Sequence, residues 1–134
     1  MDRTTFDARW VPRILSVLRI VAGFLFMEHG GAKLFNFPPV PHAMPHLPPL
    51  MVVAGVLECF GGCLVLIGAF TRIVSFILAG EMATAYFLGH ARHGFWPMLN
   101  QGELAVLYCF VFLYIAFAGG GPWSVDNLWH SRAK

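Results

Sequence analysis

Ionisable side chains sit in this chain where they are costly. Glu28, His29, Lys33, Glu58, Glu81 and His90 fall within long apolar runs, and Glu103 stands at the mouth of another. A carboxylate removed from water has its charged form disfavoured unless it is paired, so it can carry a proton. Ionisable groups inside apolar spans mark proton or ligand pathways often enough that a functional role is the first reading. Glu58 and Glu103 are the candidate catalytic carboxylates. His29, Lys33, His90, Trp96 and Asn100 are the candidate binding groups around them. Proton exchange with a quinone headgroup, or binding of another polar molecule, is the chemistry such a set would do. The structural alternative stays open: Glu58 bonds His29, Lys33 or a backbone group and fixes helix register. Arg19 and Glu81 read as a structural ion pair, each neutralising the other inside the apolar layer.

Other chemistries are weakly supported. His42-x-x-x-His46 would share a helical face, but Pro41 and Pro45 spoil that geometry. His90-x-x-His93, even with Met44 and Met98 as soft ligands, has no established metal spacing, so no metal is expected. Cys59 and Cys63 lie four apart and Cys109 stands alone, with no C-x-x-C. They read as small apolar packing residues.

These groups need elements to hold them. The chain has 134 residues, 57% hydrophobic and 12% charged, about half the charge of a typical soluble domain. One membrane domain over residues 1–134 is expected. The formal charge of +2 is too small to suggest nucleic-acid binding. Four apolar runs predict four transmembrane helices, at about 14–35, 50–70, 73–90 and 102–118, each near the roughly 20 residues that cross hydrocarbon. Pro12 suits the start of the first. Six prolines between Asn36 and Pro49 exclude a regular helix there. The short turn Ala69-Phe70-Thr71-Arg72 makes spans two and three an antiparallel hairpin, and Gly119-Gly120-Gly121-Pro122 ends span four. The polar start, Met1 to Arg13, leads into a first span that doubles as the insertion signal. Trp10, Trp96, Trp123 and Trp129 fall near span ends, as interfacial belt residues do.

An even number of spans puts both termini on one side. That side gathers Arg3, Arg9, Arg13, Arg72, Arg132 and Lys134, against Lys33 and Arg92 on the other, which predicts cytoplasmic termini. From the helical rise, Glu58 lies roughly 12 Å below the outer boundary, Glu28 roughly 10 Å below it, and Glu81 roughly 12 Å above the inner one. The outer half is therefore expected to hold a polar pocket between helices.

The order and spacing of these residues resemble the DoxX family of small four-helix membrane proteins. The resemblance rests on Arg19-x-x-x-Gly23-x-x-Phe26-x-x-His29-Gly30-x-x-Lys33-Leu34-Phe35, then Gly55-x-x-Glu58-x-x-Gly61-Gly62 and Gly68-x-x-Thr71-Arg72. Ala79-Gly80-Glu81-Met82, His90, Asn100-Gln101-Gly102-Glu103 and Gly121-Pro122 with Ser124 and Asp126 complete it. It implies an all-α transmembrane four-helix bundle, antiparallel, in a bacterial-type cytoplasmic membrane. Relatives include a membrane subunit of thiosulfate:quinone oxidoreductase, proteins linked to membrane thiol and redox defence, and distant assembly factors. No second soluble domain is expected to hold a substrate or flavin, so the resemblance does not extend to thiosulfate chemistry.

The expectation is a subunit of a membrane redox system, binding quinone or a related small molecule. Its cofactor or electron carrier would come from a redox partner protein, with a second copy of the chain, as a homo-oligomer, the further candidate partner. A non-catalytic scaffold for other membrane proteins is the alternative. A small proton-coupled transporter is a third, weakened because no inverted repeat is visible.

Overall fold

A computed structural model describes residues 3–41 and 44–133, so His42 and Lys134 lie outside the described residues. Among the described residues every regular element is helical. Helix α1 covers Arg3–Phe35. Helix α2 covers Pro49–Ile67 and α3 Thr71–His93. Helix α4 covers Glu103–Ala118 and α5 Val125–Arg132. The first three are long and apolar enough to cross a membrane, and α4 is a shorter apolar helix.

The expected spans shift at their ends for local reasons. Helix α1 begins at Arg3 instead of Ile14 and runs through Pro12. Its first turns are held by aromatic contacts: Phe6 meets Trp10 at 6.2 Å, and the Arg13 guanidinium lies 5.5 Å from the Trp10 ring centre. Helix α2 stops at Ile67 because Gly68 takes a left-handed conformation (φ 75°), its amide donating to the Leu64 and Val65 carbonyls. Helix α3 starts at Thr71, two residues before the expected Ile73. Helix α5 lies beyond the four expected spans. Ser124 caps it by accepting from the Asn127 amide at 3.2 Å. Ser124 followed by Asp126 is a recognisable start signal, but it falls after the last apolar run.

Two antiparallel helix pairs make the bundle. In the first, α1 and α2 approach backbone to backbone. A Cβ on Gly23 would lie 2.6 Å from the Leu66 nitrogen, one on Gly30 would lie 2.2 Å from the Cys59 nitrogen, and one on Gly62 would lie 2.7 Å from the Met27 nitrogen. Only glycine permits this approach. The second pair is α3 with α4. Phe26 joins the pairs, packing against Tyr108 (5.1 Å between ring centres) and Phe112 (4.8 Å), in a core with Leu78 and Ile115. Phe24, Phe60, Phe76, Phe110 and Phe117 point outward, as lipid-facing side chains do.

At the end of the bundle that holds the chain's first and last helices, Arg19 is fully buried. Its guanidinium donates to the carbonyls of Gly120 (2.8 Å), Val65 (2.6 Å), Leu66 and Trp123. These acceptors come from the last turn of α2 and the loop after α4, where helix ends leave carbonyls unsatisfied. The expected Arg19–Glu81 ion pair is therefore corrected. Glu81 stands ten residues beyond Thr71, about 15 Å further into the bundle, while Arg19 is held at the end by four carbonyls.

Asp126 closes the same end. Its carboxylate accepts from the Phe70 and Thr71 amides at 2.8 Å each, capping the N-terminus of α3. Burial alone would raise the Asp126 pKa, but the hydrogen bonds from Thr71 and Phe70, with nearby His130, bring it below the ordinary aspartate value.

Gly30→Ala will lower the melting temperature of the detergent-solubilised protein. Gly80→Ala, where an added Cβ meets nothing within 4 Å, will leave it unchanged or raised; equal melts for the two would refute the close-approach account. Asp126→Asn will melt earlier at neutral pH. Because the folded pKa is depressed, this stabilisation is present above the unfolded aspartate pKa and is lost as pH falls through the lower folded value. The wild-type advantage in melting should therefore disappear in acid.

Candidate functional site

Glu58 lies in a five-residue π turn, Leu57–Gly61, within α2. Such wider turns recur at functional sites. Here the turn keeps Glu58 buried while Phe60, two residues on, faces outward. One carboxylate oxygen, Oε1, accepts from Lys33 Nζ at 2.5 Å. This is the only side-chain ion pair among the described residues. The Glu58 side chain is 4% exposed and the Lys33 side chain 27%, so the lysine reaches from the last turn of α1 towards the more polar end of the bundle. The other oxygen, Oε2, is buried and has no hydrogen-bond partner.

Glu81 belongs to this site. Both of its carboxylate oxygens are buried without a hydrogen-bond partner, and the helix that carries it packs against the π turn that carries Glu58. Tyr108 on α4 stands beside the cluster, within electrostatic reach of Glu28 and Glu58. His29 meets the Tyr108 ring edge-on at 6.1 Å. The site thus draws Lys33, Glu28 and His29 from α1, Glu58 from α2, Glu81 from α3 and Tyr108 from α4.

The other expected residues divide differently. Asn100 is buried in the loop before α4. It donates to the Gly94 carbonyl (2.9 Å) and the Tyr86 hydroxyl (3.3 Å), and its Oδ1 accepts from the Gly102 amide (2.8 Å). His90 Nδ1 lies 3.1 Å from the Asn100 carbonyl oxygen. His90 and Asn100 therefore form a loop cluster, joined to each other. Trp96 is exposed and meets Phe95 at 5.1 Å. Glu103 is exposed at the first turn of α4, beside Leu104, Leu107 and Phe110; no described hydrogen bond or ion pair links it to Glu58.

Sequence reasoning misses two members. Tyr108 sits in an apolar run with nothing local to mark it. Glu81 is matched to Arg19 because both fall in the inner half by depth, which does not say which helix faces they occupy. A cleft of about 790 Å³ lies elsewhere, at the Arg19 end. It is lined by Pro12, Thr71, Arg72, Asp126 and His130 among others.

The arrangement is a membrane helical bundle with a buried, only partly neutralised group of charges. Its chain belongs to the DoxX family, whose model matches residues 14–91. The matched segment contains Arg19, His29, Lys33, Glu58 and Glu81, and ends before Asn100, Glu103 and Tyr108. The chain is 44% identical over 124 residues to an uncharacterised protein of Haemophilus influenzae, covering 89% of this chain and 92% of the relative. It is 27% identical over 139 residues to an uncharacterised membrane protein of Mycobacterium tuberculosis, covering 91% and 85%. No solved structure matches.

Removing Lys33 isolates the buried Glu58 carboxylate, and breaking a fully buried pair costs about 3–5 kcal/mol. The partial exposure of Lys33 reduces that figure. Lys33→Met will therefore destabilise the protein, and adding Glu58→Gln will recover part of the loss. A double-mutant cycle by thermal melting measures this; strictly additive losses would show that the pair contributes no coupling.

Proposed function

We propose that this protein is the membrane subunit of a redox system in a bacterial-type cytoplasmic membrane, binding a quinone or related small molecule at the Lys33–Glu58 site. The observation that supports it most is the half-satisfied Glu58 carboxylate, with one oxygen on Lys33 and the other buried and unpartnered. A buried carboxylate with a free oxygen can accept or donate a proton at a ligand oxygen. A quinone that takes two electrons also takes two protons. Glu58 takes up a proton from water at its unpartnered oxygen and passes it to one carbonyl oxygen, Lys33 holds the carboxylate charge left behind, His29 hydrogen-bonds the headgroup, and the second proton comes from water. His90 and Asn100, bonded to each other, shape the loop at this end of the bundle, and the exposed Trp96 and Glu103 lie at its rim. The electrons come from a redox partner protein carrying a flavin, haem or metal. On this reading both termini are cytoplasmic, which the arginine distribution supports, and the site faces the outer leaflet.

A scaffold for other membrane proteins is the second reading. The cleft at the Arg19 end favours it, because that cleft lies away from the carboxylates and offers a seat for a partner segment.

The test is to purify the protein from native membranes into nanodiscs, extract it, and identify bound small molecules by mass spectrometry. Wild type is expected to yield a quinone at near-stoichiometric level, and Glu58→Gln to lose it while staying folded. A folded wild type without quinone, purified with a stable protein partner, would overturn the redox reading in favour of the scaffold.

A further inference from the structure

We infer that the cleft at the Arg19 end, together with the apolar groove beside it, holds one phospholipid molecule, its phosphate on Arg72 and an acyl chain between α3 and α4. The inference rests on neither reading of the function above.

Arg72 stands in the first turn of α3, exposed at the end of the bundle. One of its nitrogens, Nη1, donates to the carbonyls of Ala116 (3.2 Å) and Phe117 in the last turn of α4. These bonds hold the guanidinium across the gap between α3 and α4. Its Nη2 and Nε make no hydrogen bond among the described residues. Free N–H groups on a planar fork suit a phosphate, whose oxygens accept in pairs. Gly119 leaves room beside them: a Cβ there would stand 3.2 Å from Nη2.

The charges around the cleft favour an anion. Asp126 lines it, but both of its oxygens accept from the Phe70 and Thr71 amides. Against this one carboxylate stand Arg72 and the buried Arg19, which bonds the Gly120 carbonyl of the cleft wall. His130, the remaining titratable group on the wall, has its Nδ1 2.6 Å from the Asp126 main-chain oxygen. Basic pockets between transmembrane helices bind lipid headgroups.

The adjoining groove sets the class of ligand. Arg72 and Ile73 line it as well, with Phe76, Ile77, Ala116 and Phe117, and it encloses about 290 Å³. It leads down the flank of the bundle, since Ile77 lies roughly 8 Å along α3 from Arg72. Ile73, Phe76, Ile77 and Phe117 are exposed. An extended protein segment laid there would bring main-chain N–H and C=O groups into hydrocarbon without partners. An acyl chain has no such groups, and a free phosphate would leave the groove unfilled.

The experiment is native mass spectrometry of the delipidated protein in detergent, titrated with a phosphatidylglycerol of defined chain length. Wild type is expected to take up one tightly held lipid. Arg72→Gln is expected to weaken that uptake about tenfold. Arg92→Gln, at an exposed arginine outside the cleft, is expected to leave it unchanged. Ile73→Trp, which fills the groove from an exposed position, should weaken it as well. Circular dichroism of each variant checks helix content, and should Arg72→Gln fail to fold, Ile73→Trp decides. Wild-type uptake by folded Arg72→Gln or by Ile73→Trp overturns the inference. So does glycerol phosphate, which has no acyl chain, competing as strongly as the lipid itself. A wild type that takes up no lipid while a partner protein cross-links to the cleft overturns it in favour of a partner segment.

Discussion

The close approach of α1 and α2 sets the register on which the rest of the bundle depends. Their backbones are so near at Gly23, Gly30 and Gly62 that a single added carbon at any of them would overlap main-chain atoms of the other helix. Contact of this kind fixes rotation and axial register together, because neither helix can turn or slide without a side chain entering the seam. With the register fixed, Lys33 falls opposite Glu58, and Arg19 falls opposite the last carbonyls of α2. Both cations owe their partners to a seam that contains no charge.

The two cations are treated differently. Arg19 donates to four carbonyls, so its charge is spread over backbone dipoles that would otherwise lack donors. It fastens α1, the end of α2 and the loop before α5. Lys33 bonds one oxygen of Glu58 and leaves the other without a donor. A fully satisfied buried network holds structure, whereas an incompletely satisfied one is open to change. The contrast separates a fastening at one end of the bundle from a reactive group nearer the other.

Much of the architecture is readable from the apolar runs, because a helix in lipid must satisfy its own backbone and announces itself by length. The apolar helices, the proline-broken connection and the tight turn at Phe70 are all visible that way. The ends are not. The start of α1 depends on contacts among Phe6, Trp10 and Arg13, and α5 depends on one cap in a polar tail. Of the site, Glu58, Lys33 and His29 are legible because each charge or ring interrupts an apolar pattern. Glu81 is legible as a costly residue but not as a neighbour of Glu58, since that relation depends on the π turn and on the crossing of α3. His90 and Asn100 look like ligand groups by type, but the loop uses their polar atoms for itself.

Helix α1 has 33 residues and so runs about 50 Å, against roughly 30 Å of hydrocarbon. Leaning cannot absorb the difference, because the tilt required, roughly 50°, exceeds the range that membrane helices adopt. Part of this one continuous helix therefore stands outside the apolar layer. A helix that is in water at one end and seamed to α2 at the other is a lever. A thinner or thicker bilayer changes how much of that rod stands in water, while the seam holds its Lys33 end in register with α2.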